Sequence, residues 1–299
     1  MRPAAHQDPK PVALIGIGLM GSALAQRLIA AGFPVLGYDI APQRMEAFAS
    51  LGGTPTTSPA DAAHGAHLVV TCLMTGAVVR EVLFGRHGAA EAMSPGSLVI
   101  DTTTCAPAES TALAADLGAR GIGFVDAPLS GSSADVRAGR AVVLAGGTAQ
   151  DFARCRPLFR AIARRAFHLG PHGAGATAKL VTNLVLGLNR LALAEGLALG
   201  LRCGLPPAAL LSVLRESAAY SRVMETKGEK MVAGRFEADA RLQQHLKDVT
   251  LILELGGAMG VPLPVSALHQ QLLTAAVAQG WGNEDNSAII KVLQMLASP

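Results

Sequence analysis

The chain has 299 residues, half of them hydrophobic, with 16% charged and 4% aromatic residues and a formal net charge of +3. That is enough apolar material for about two domains, with cores of Ala, Leu, Val and Ile. The composition excludes a fibrous or disordered chain, and the absence of Lys/Arg runs interleaved with aromatics excludes a nucleic-acid groove.

The first ten residues, MRPAAHQDPK, lack an apolar stretch and read as a loose tail, not a signal peptide. Val12 to Ile17 is a short apolar run that ends in glycines and reads as a buried strand. Leu19 to Ala31 carries a helical pattern stopped by Gly32, Val35 to Ile40 reads as the next strand, and Pro42 opens another helix. Ser58-Pro59 is an N-cap followed by a first-turn proline. The alternation continues with strands at 67–73, 97–101, 123–127, 141–145 and 166–169, and helices at 76–83, 107–118 and 150–163. The basic stretch Arg154 to Arg165 also carries Leu158, Phe159 and Ile162, and reads as an amphipathic helix with a solvated face. Strand and helix alternating over about 165 residues predicts a mostly parallel, doubly wound sheet.

Beyond Gly170 strand-like runs stop. Residues 174–203 read as one long apolar helix, ended by Gly204 and Pro206-Pro207. Further helices fit 207–218, 243–258, 264–279 and 286–297, punctuated by Gly260, Pro262 and Pro264. The fold class is therefore α/β plus all-α: a tail at 1–10, a Rossmann-type domain at 11–172 and a helical domain at 173–299. The most apolar segment, 180–201, contains Asn183, Asn189, Arg190 and Glu195, which are costly in lipid, so a buried helix of a soluble protein is expected rather than a membrane span. Its length also suggests a face covered by a second subunit, in a homodimer or homotetramer. Cys72, Cys105, Cys155 and Cys203 show no metal spacing and read as free thiols of a reduced, cytoplasmic compartment.

Gly16-Ile17-Gly18-Leu19-Met20-Gly21 ends a predicted strand and opens a predicted helix, the context that gives a GxGxxG pattern meaning. Gly16 permits the tight turn, Gly18 lets backbone amides approach a pyrophosphate, and Gly21 lets helix and strand pack closely. The helix N-terminus adds partial positive charge. Asp39 follows at the offset of an acid that accepts from ribose hydroxyls, which points to NAD; Arg44 nearby could offset repulsion of a 2′-phosphate and admit NADP.

Four segments in series resemble the β-hydroxyacid dehydrogenase family, which includes 3-hydroxyisobutyrate, tartronate semialdehyde and threonate-type dehydrogenases. They are Gly16–Gly21 with Met20, Asp126-Ala-Pro-Leu-Ser130-Gly131, Gly173-Ala-Gly175-Ala-Thr-Ala-Lys179 with Asn183, and Lys247-Asp248. The resemblance implies reversible NAD-dependent oxidation of a small 3-hydroxy acid, with Lys179 as general acid/base and Asn183 orienting the substrate. It places the substrate carboxylate at Ser130, Gly131 and Ser132, with Lys247 reaching the cofactor ribose or the active site beside Asp248. Leu73, Met74 and Thr104 match positions near the cofactor. Taken alone, a lysine near a helix start or a Lys-Asp pair is usually solvated. An unperturbed lysine (pKa ~10.4) is a poor base, so burial or a second cation is needed to lower it. The family usually shows Ser-Gly-Gly where this chain has Ser130-Gly131-Ser132, and an aromatic residue where it has Ala240, so the pocket is expected to differ. His64, His67, His168, His172 and His245 form no ligand set and are set aside, and Trp281 reads as a packing or rim residue. Two other readings of the architecture, an imine reductase and a catalytically silent dinucleotide scaffold, are disfavoured by Lys179, since such proteins typically lack it.

Overall fold

The computed structural model describes residues 10–297; all but the last residue of the expected N-terminal tail lies outside them. Contacts divide the chain into two compact units, one ending at Lys179 and one beginning at Leu180.

The first unit runs β1 (Val12–Ile15), α1 (Leu19–Ala30), β2 (Val35–Tyr38), α2 (Pro42–Ser50), β3 (Thr54–Pro55), α3 (Pro59–Ala63), β4 (Leu68–Thr71), α4 (Gly76–Phe84) and α5 (Ala89–Ala92). It continues with β5 (Leu98–Asp101), α6 (Pro107–Gly118), β6 (Gly123–Asp126), β7 (Leu129–Ser130), α7 (Ser133–Arg137), β8 (Val142–Gly147), α8 (Ala149–Ile162) and β9 (Arg165–His168). The strand order is β3-β2-β1-β4-β5-β6-β8-β7, with β9 on β8. Strands β3 through β6 pair in parallel, while β8 runs antiparallel to β6 and β7. Alternate residues of each strand feed two different cores. Val12, Leu14, Leu98 and Ile100 pack on one face with Leu24, Leu28 and Leu158. Ala13, Ile15, Val69 and Val99 pack on the other with Leu83, Leu113 and Leu117. A sheet covered on both faces needs near-continuous apolar strands, which is why the strands were readable as apolar runs.

The chain order reverses between β1 and β4, so the loops after these strands flank the switch point, where parallel sheets open a ligand crevice at their carboxyl ends. Residues Thr71, Asp101 and Asp126 stand in register across β4, β5 and β6 at that same end.

The helix α9 (Ala174–Arg202) crosses from one unit to the next, and the helical unit follows with α10 (Pro207–Glu216), α11 (Arg222–Ala233), α12 (Leu242–Ala258), α13 (Pro264–Ala278) and α14 (Ile289–Leu296). Asp126, on β6, ties the first turn of α9 to the first unit: its carboxylate accepts from Gly173 N (2.9 Å) and Ala176 N (2.8 Å). Helix α11 has no counterpart in the sequence reading. Its buried residues Val223, Met224, Lys227, Gly228 and Met231 keep helical spacing, but a lysine and a glycine interrupt the apolar stripe. Lys227 is buried because Asp285 accepts from it at 2.8 Å, and Gly228 because Leu211 leaves no room for a Cβ. The helix expected at 286–297 begins as a 3₁₀ turn over Asn286–Ala288, closed by the Asp285 side chain accepting from Ser287 N.

Candidate active site

Two of the three glycines of the first loop are required by geometry. Gly16 has φ +96°, and a Cβ there would sit 2.3 Å from Cys72 O. A Cβ on Gly21 would sit 1.9 Å from Gly16 O, so α1 could not lie this close to the loop. Gly18 is different: its backbone is ordinary (φ −71°) and nothing lies within 4 Å of a Cβ. Space is therefore kept over Gly18 where the protein itself does not need it. Helix α1 also starts without a side-chain cap, leaving its first N–H groups directed at that space. An uncapped helix end below open space suits a pyrophosphate.

Asp39 follows β2. Its carboxylate accepts from Ile17 N (2.8 Å) inside the glycine loop and from Ala41 N (2.9 Å), and Arg44 Nη1 lies 3.2 Å from both oxygens. The Asp39 side chain is only 5% exposed, whereas Arg44 is half exposed. Asp39 therefore braces the glycine loop.

On the far side of the switch point a hydroxyl ladder joins the loops after β4 and β5. Thr71 Oγ1 donates to Asp101 Oδ1 (2.8 Å), and Thr103 N donates to the same oxygen (3.0 Å). Thr102 Oγ1 donates to Thr71 O (2.7 Å), and Thr103 Oγ1 accepts from Leu73 N (3.1 Å). Burial pushes the Asp101 carboxyl up to about 6, against the hydrogen bonds from Thr103 and Thr71. The threonine cluster thus fixes the backbone of Leu73, and Met74 beside it is exposed. Sequence reasoning singled out Thr104; Thr102 and Thr103 make these loop-fixing bonds.

Lys179 projects from the Asp126-capped first turns of α9, and its Nζ donates to Leu129 O at 2.7 Å. Leu129 and Ser130 form β7, so the amine is anchored on the residue adjoining the expected carboxylate site. Gly131 follows with φ +138°, and Asp135 Cβ would crowd any side chain there. Ser132 has a structural task. It is the N-cap of α7: its N–H and its hydroxyl both donate to Asp135 Oδ2 (3.0 and 2.8 Å), and its Oγ accepts from Asp135 N (3.2 Å). Its N–H and hydroxyl are thus engaged within the first turn of α7. Burial pushes the Asp126 carboxyl above its ordinary value, opposed by the N–H groups of Gly173 and Ala176; its cap was quoted in a motif but given no role from sequence.

Within the helical unit, Asn183 Nδ2 donates to Asp248 Oδ2 at 2.8 Å, a buried contact. Lys247 Nζ lies 3.0 Å from Asp248 Oδ1. The expected pair is thus joined to Asn183 rather than solvated. His245, set aside on sequence, is buried, with its ring 5.2 Å from His269. His168 and His172 bond to Gly147 O and Phe124 O. No group of three or more His, Cys, Asp or Glu among the described residues could hold a metal. Trp281 packs under the ammonium of Lys291.

Comparison with known proteins decides the family. Residues 11–170 match the NAD binding domain of 6-phosphogluconate dehydrogenase, and residues 173–293 match the domain described as NAD-binding of NADP-dependent 3-hydroxyisobutyrate dehydrogenase. An L-threonate dehydrogenase of Cupriavidus necator is 35% identical over 96% of this chain and 97% of its own. The chain belongs to the β-hydroxyacid dehydrogenase family. A 3-hydroxyisobutyrate dehydrogenase structure from Salmonella typhimurium superposes with a TM-score of 0.88 at 30% identity, covering 95% of this chain and 99% of that one. An imine reductase from Myxococcus stipitatus shares the fold alone, at 19% identity and a TM-score of 0.63 over 95% of this chain and 99% of its own. This β-hydroxyacid dehydrogenase is an oxidoreductase that binds a nicotinamide dinucleotide.

Proposed function

We propose that the enzyme oxidises a small 3-hydroxy acid reversibly to the semialdehyde or keto acid, with NAD as its preferred cofactor and Lys179 as general acid/base. The observation that carries this reading is the 2.7 Å bond from Lys179 Nζ to Leu129 O, beside Ser130. The dinucleotide supplies the hydride acceptor. Gly16, Gly18, Leu19, Met20 and Gly21 offer the phosphate-binding loop, with Leu73, Met74 and Thr104 as further cofactor contacts. Ser130 and Gly131 hold the substrate carboxylate through a hydroxyl and backbone N–H groups. Lys179 then takes the proton of the reacting hydroxyl as the hydride leaves, and returns it in the reverse direction. The bond to Leu129 O holds one amine N–H and so orients the rest of the group. Supporting the class, the L-threonate and 3-hydroxyisobutyrate dehydrogenases both match nearly the whole chain. The test is nicotinamide absorbance in both directions over a panel of 3-hydroxy acids and semialdehydes, with Lys179→Ala as control. Cofactor binding without turnover on any panel member would reject the substrate class.

The NAD preference rests on Asp39. Asp39→Ala is expected to weaken NAD binding about tenfold, roughly 1.4 kcal/mol, and to weaken NADP less, because the carboxylate that repels a 2′-phosphate goes while Arg44 stays. The loop also loses the Ile17 N partner, so neither cofactor gains outright. Titration of both cofactors checks this; an unchanged ratio would remove Asp39 from ribose recognition.

The enzyme is proposed to act in the cytoplasm as a homodimer or homotetramer. Helix α9 is long and apolar enough to cross a membrane, yet it carries the buried Asn183 and Arg190. Val181, Val185, Leu186 and Leu199 are at least 43% exposed on it, an apolar face that a second copy would cover. Light scattering is expected to give a dimer or tetramer mass at micromolar concentration, and a monomer mass would remove the assembly.

A further inference from the structure

Two buried carboxyls stand side by side at the carboxyl end of the sheet, Asp101 on β5 and Asp126 on β6. Asp126 has a task there, the cap on α9. Asp101 is wholly buried and takes no part in the proton transfer above. Its two oxygens are unequal. Oδ1 accepts from Thr71 Oγ1 (2.8 Å) and from Thr103 N (3.0 Å), whereas Oδ2 is buried with no hydrogen-bond partner. An acid kept in that state is costly and calls for an explanation. The groups that face it supply no counter-charge. They are Asp126 in register on β6, the Cys72 thiol after β4, and Cys105 and Glu109 at the start of α6. His172, just before α9, acts on Asp126.

What the two Oδ1 bonds accomplish follows from the backbone. The parallel ladder across β1, β4 and β5 ends with Cys72 N donating to Ile15 O (2.9 Å) and Thr102 N donating to Thr71 O (2.8 Å). One residue further, past the strand ends, Leu73 N donates to a side chain instead, the Thr103 hydroxyl at 3.1 Å. A buried N–H needs some such acceptor, and here the hydroxyl stands in for a strand carbonyl. Thr103 is held for this task by its own N–H on Asp101 Oδ1, and the carboxyl is held in turn by Thr71. Leu73 and Cys72 then lie directly against the glycine loop: a Cβ on Gly16 would stand 2.3 Å from Cys72 O and 2.9 Å from Leu73 Cδ2. A shift of the Leu73 backbone is therefore felt at Gly16, whose turn aims the amides at the start of α1.

We infer that Asp101 is a positioning residue for the dinucleotide: acting through Thr103, it holds Leu73 against Gly16, and it does so as a hydrogen-bond acceptor rather than as a charge. Both bonds land on one oxygen, so an uncharged side chain that keeps an oxygen in that place holds the loops equally well. A proton on Oδ2 likewise leaves both bonds intact. The inference rests on the reading that the dinucleotide lies over the glycine loop.

Calorimetric titration of the full-length protein with NAD, beside thermal melts, tests it. Asp101→Ala and Thr103→Val are each expected to weaken NAD binding about tenfold while still folded by circular dichroism, and Asp101→Asn and Thr103→Ser to stay within about threefold of the wild type. If Asp101→Ala does not fold, Thr103→Val carries the test, since it leaves the carboxyl in place. The double variant Asp101→Ala/Thr103→Val should lose little more than either single one; losses that add in full would mean two separate effects and overturn the inference. The pH dependence separates acceptor from charge. Burial, with a smaller push from Asp126, raises the Asp101 pKa from 3.8 to about 6, so the fold favours the protonated acid and the wild type loses stability as pH rises through that window. Asp101→Asn is spared this loss, so its melting temperature should gain on the wild type across the window, while the ratio of their NAD affinities stays within about threefold. A loss in Asp101→Asn equal to that in Asp101→Ala, or a ratio that moves tenfold with pH, overturns the inference. So does wild-type affinity in Thr103→Val while Gly18→Val is impaired. Wild-type affinity in all of these, Gly18→Val included, would mean that the dinucleotide lies elsewhere, and the parent reading falls with the inference.

Discussion

Lys179→Ala is expected to lower kcat by about two to four orders of magnitude, the range that a positioned general acid/base supplies, while dinucleotide affinity stays near that of the wild type. The two effects separate because the cofactor loop and the lysine are built by different parts of the first unit. Gly16, Gly21 and Asp39 organise the loop after β1, and nothing in their geometry runs through α9. Lys179 is held by Leu129 O and by the Asp126 cap on the first turn of its helix. Alanine leaves the carbonyl of buried Leu129 without its donor, a stability cost of roughly 1–3 kcal/mol, too small to unfold the protein. Lys179→Arg is the sharper control. Arginine keeps the positive charge but does not deprotonate at neutral pH, so a variant that binds substrate yet fails to turn it over would separate proton transfer from charge. The measurement is steady-state nicotinamide absorbance alongside cofactor titration by fluorescence. Turnover within threefold of wild type in the alanine variant would end the acid/base assignment.

How much of this was legible depended on whether a residue's role is local. Strand and helix alternation, the GxGxxG turn and the all-α second half all follow from periodicity and from glycines at sharp turns, and the structure reproduces the predicted helix over 107–118 residue for residue. The N-cap role of Ser132 was also legible: Ser132-Ser-Ala-Asp135 is a serine three residues before an acid, the pattern of a helix N-terminus. Asp126 reaches across almost fifty residues to cap α9, and no local pattern announces that. The same is true of Arg190. An arginine inside an apolar helix reads as an argument against a membrane span, and only the folded structure shows it 3% exposed. Helix α11 was missed for a related reason, since the burial of Lys227 depends on Asp285, far along the chain. Long-range pairing of polar groups is what turns such residues inward, and it has no period.

The glycine loop yields the second large effect, because its glycines fail in different ways. Gly18→Val is expected to fold as the wild type does and to lose dinucleotide affinity by at least about a hundredfold, roughly 2.7 kcal/mol. The backbone at Gly18 is one that any residue adopts, and no protein atom lies within 4 Å of the added Cβ. A valine there is expected to obstruct a ligand approaching the amides at the start of α1. Gly21→Ala is expected to do the reverse. Its Cβ would fall 1.9 Å from Gly16 O, a backbone atom that cannot step aside without moving α1 off the sheet. Leu24 and Leu28 of that helix are fully buried in the core beneath, so the shift costs on the order of 1–3 kcal/mol or more in packing, and melting temperature falls along with binding. Thermal melts and cofactor titrations of the two variants in parallel form the check. A Gly18→Val protein that melts normally and still binds the dinucleotide would mean that the pyrophosphate does not lie over this loop, and the cofactor site would have to be sought elsewhere on the sheet.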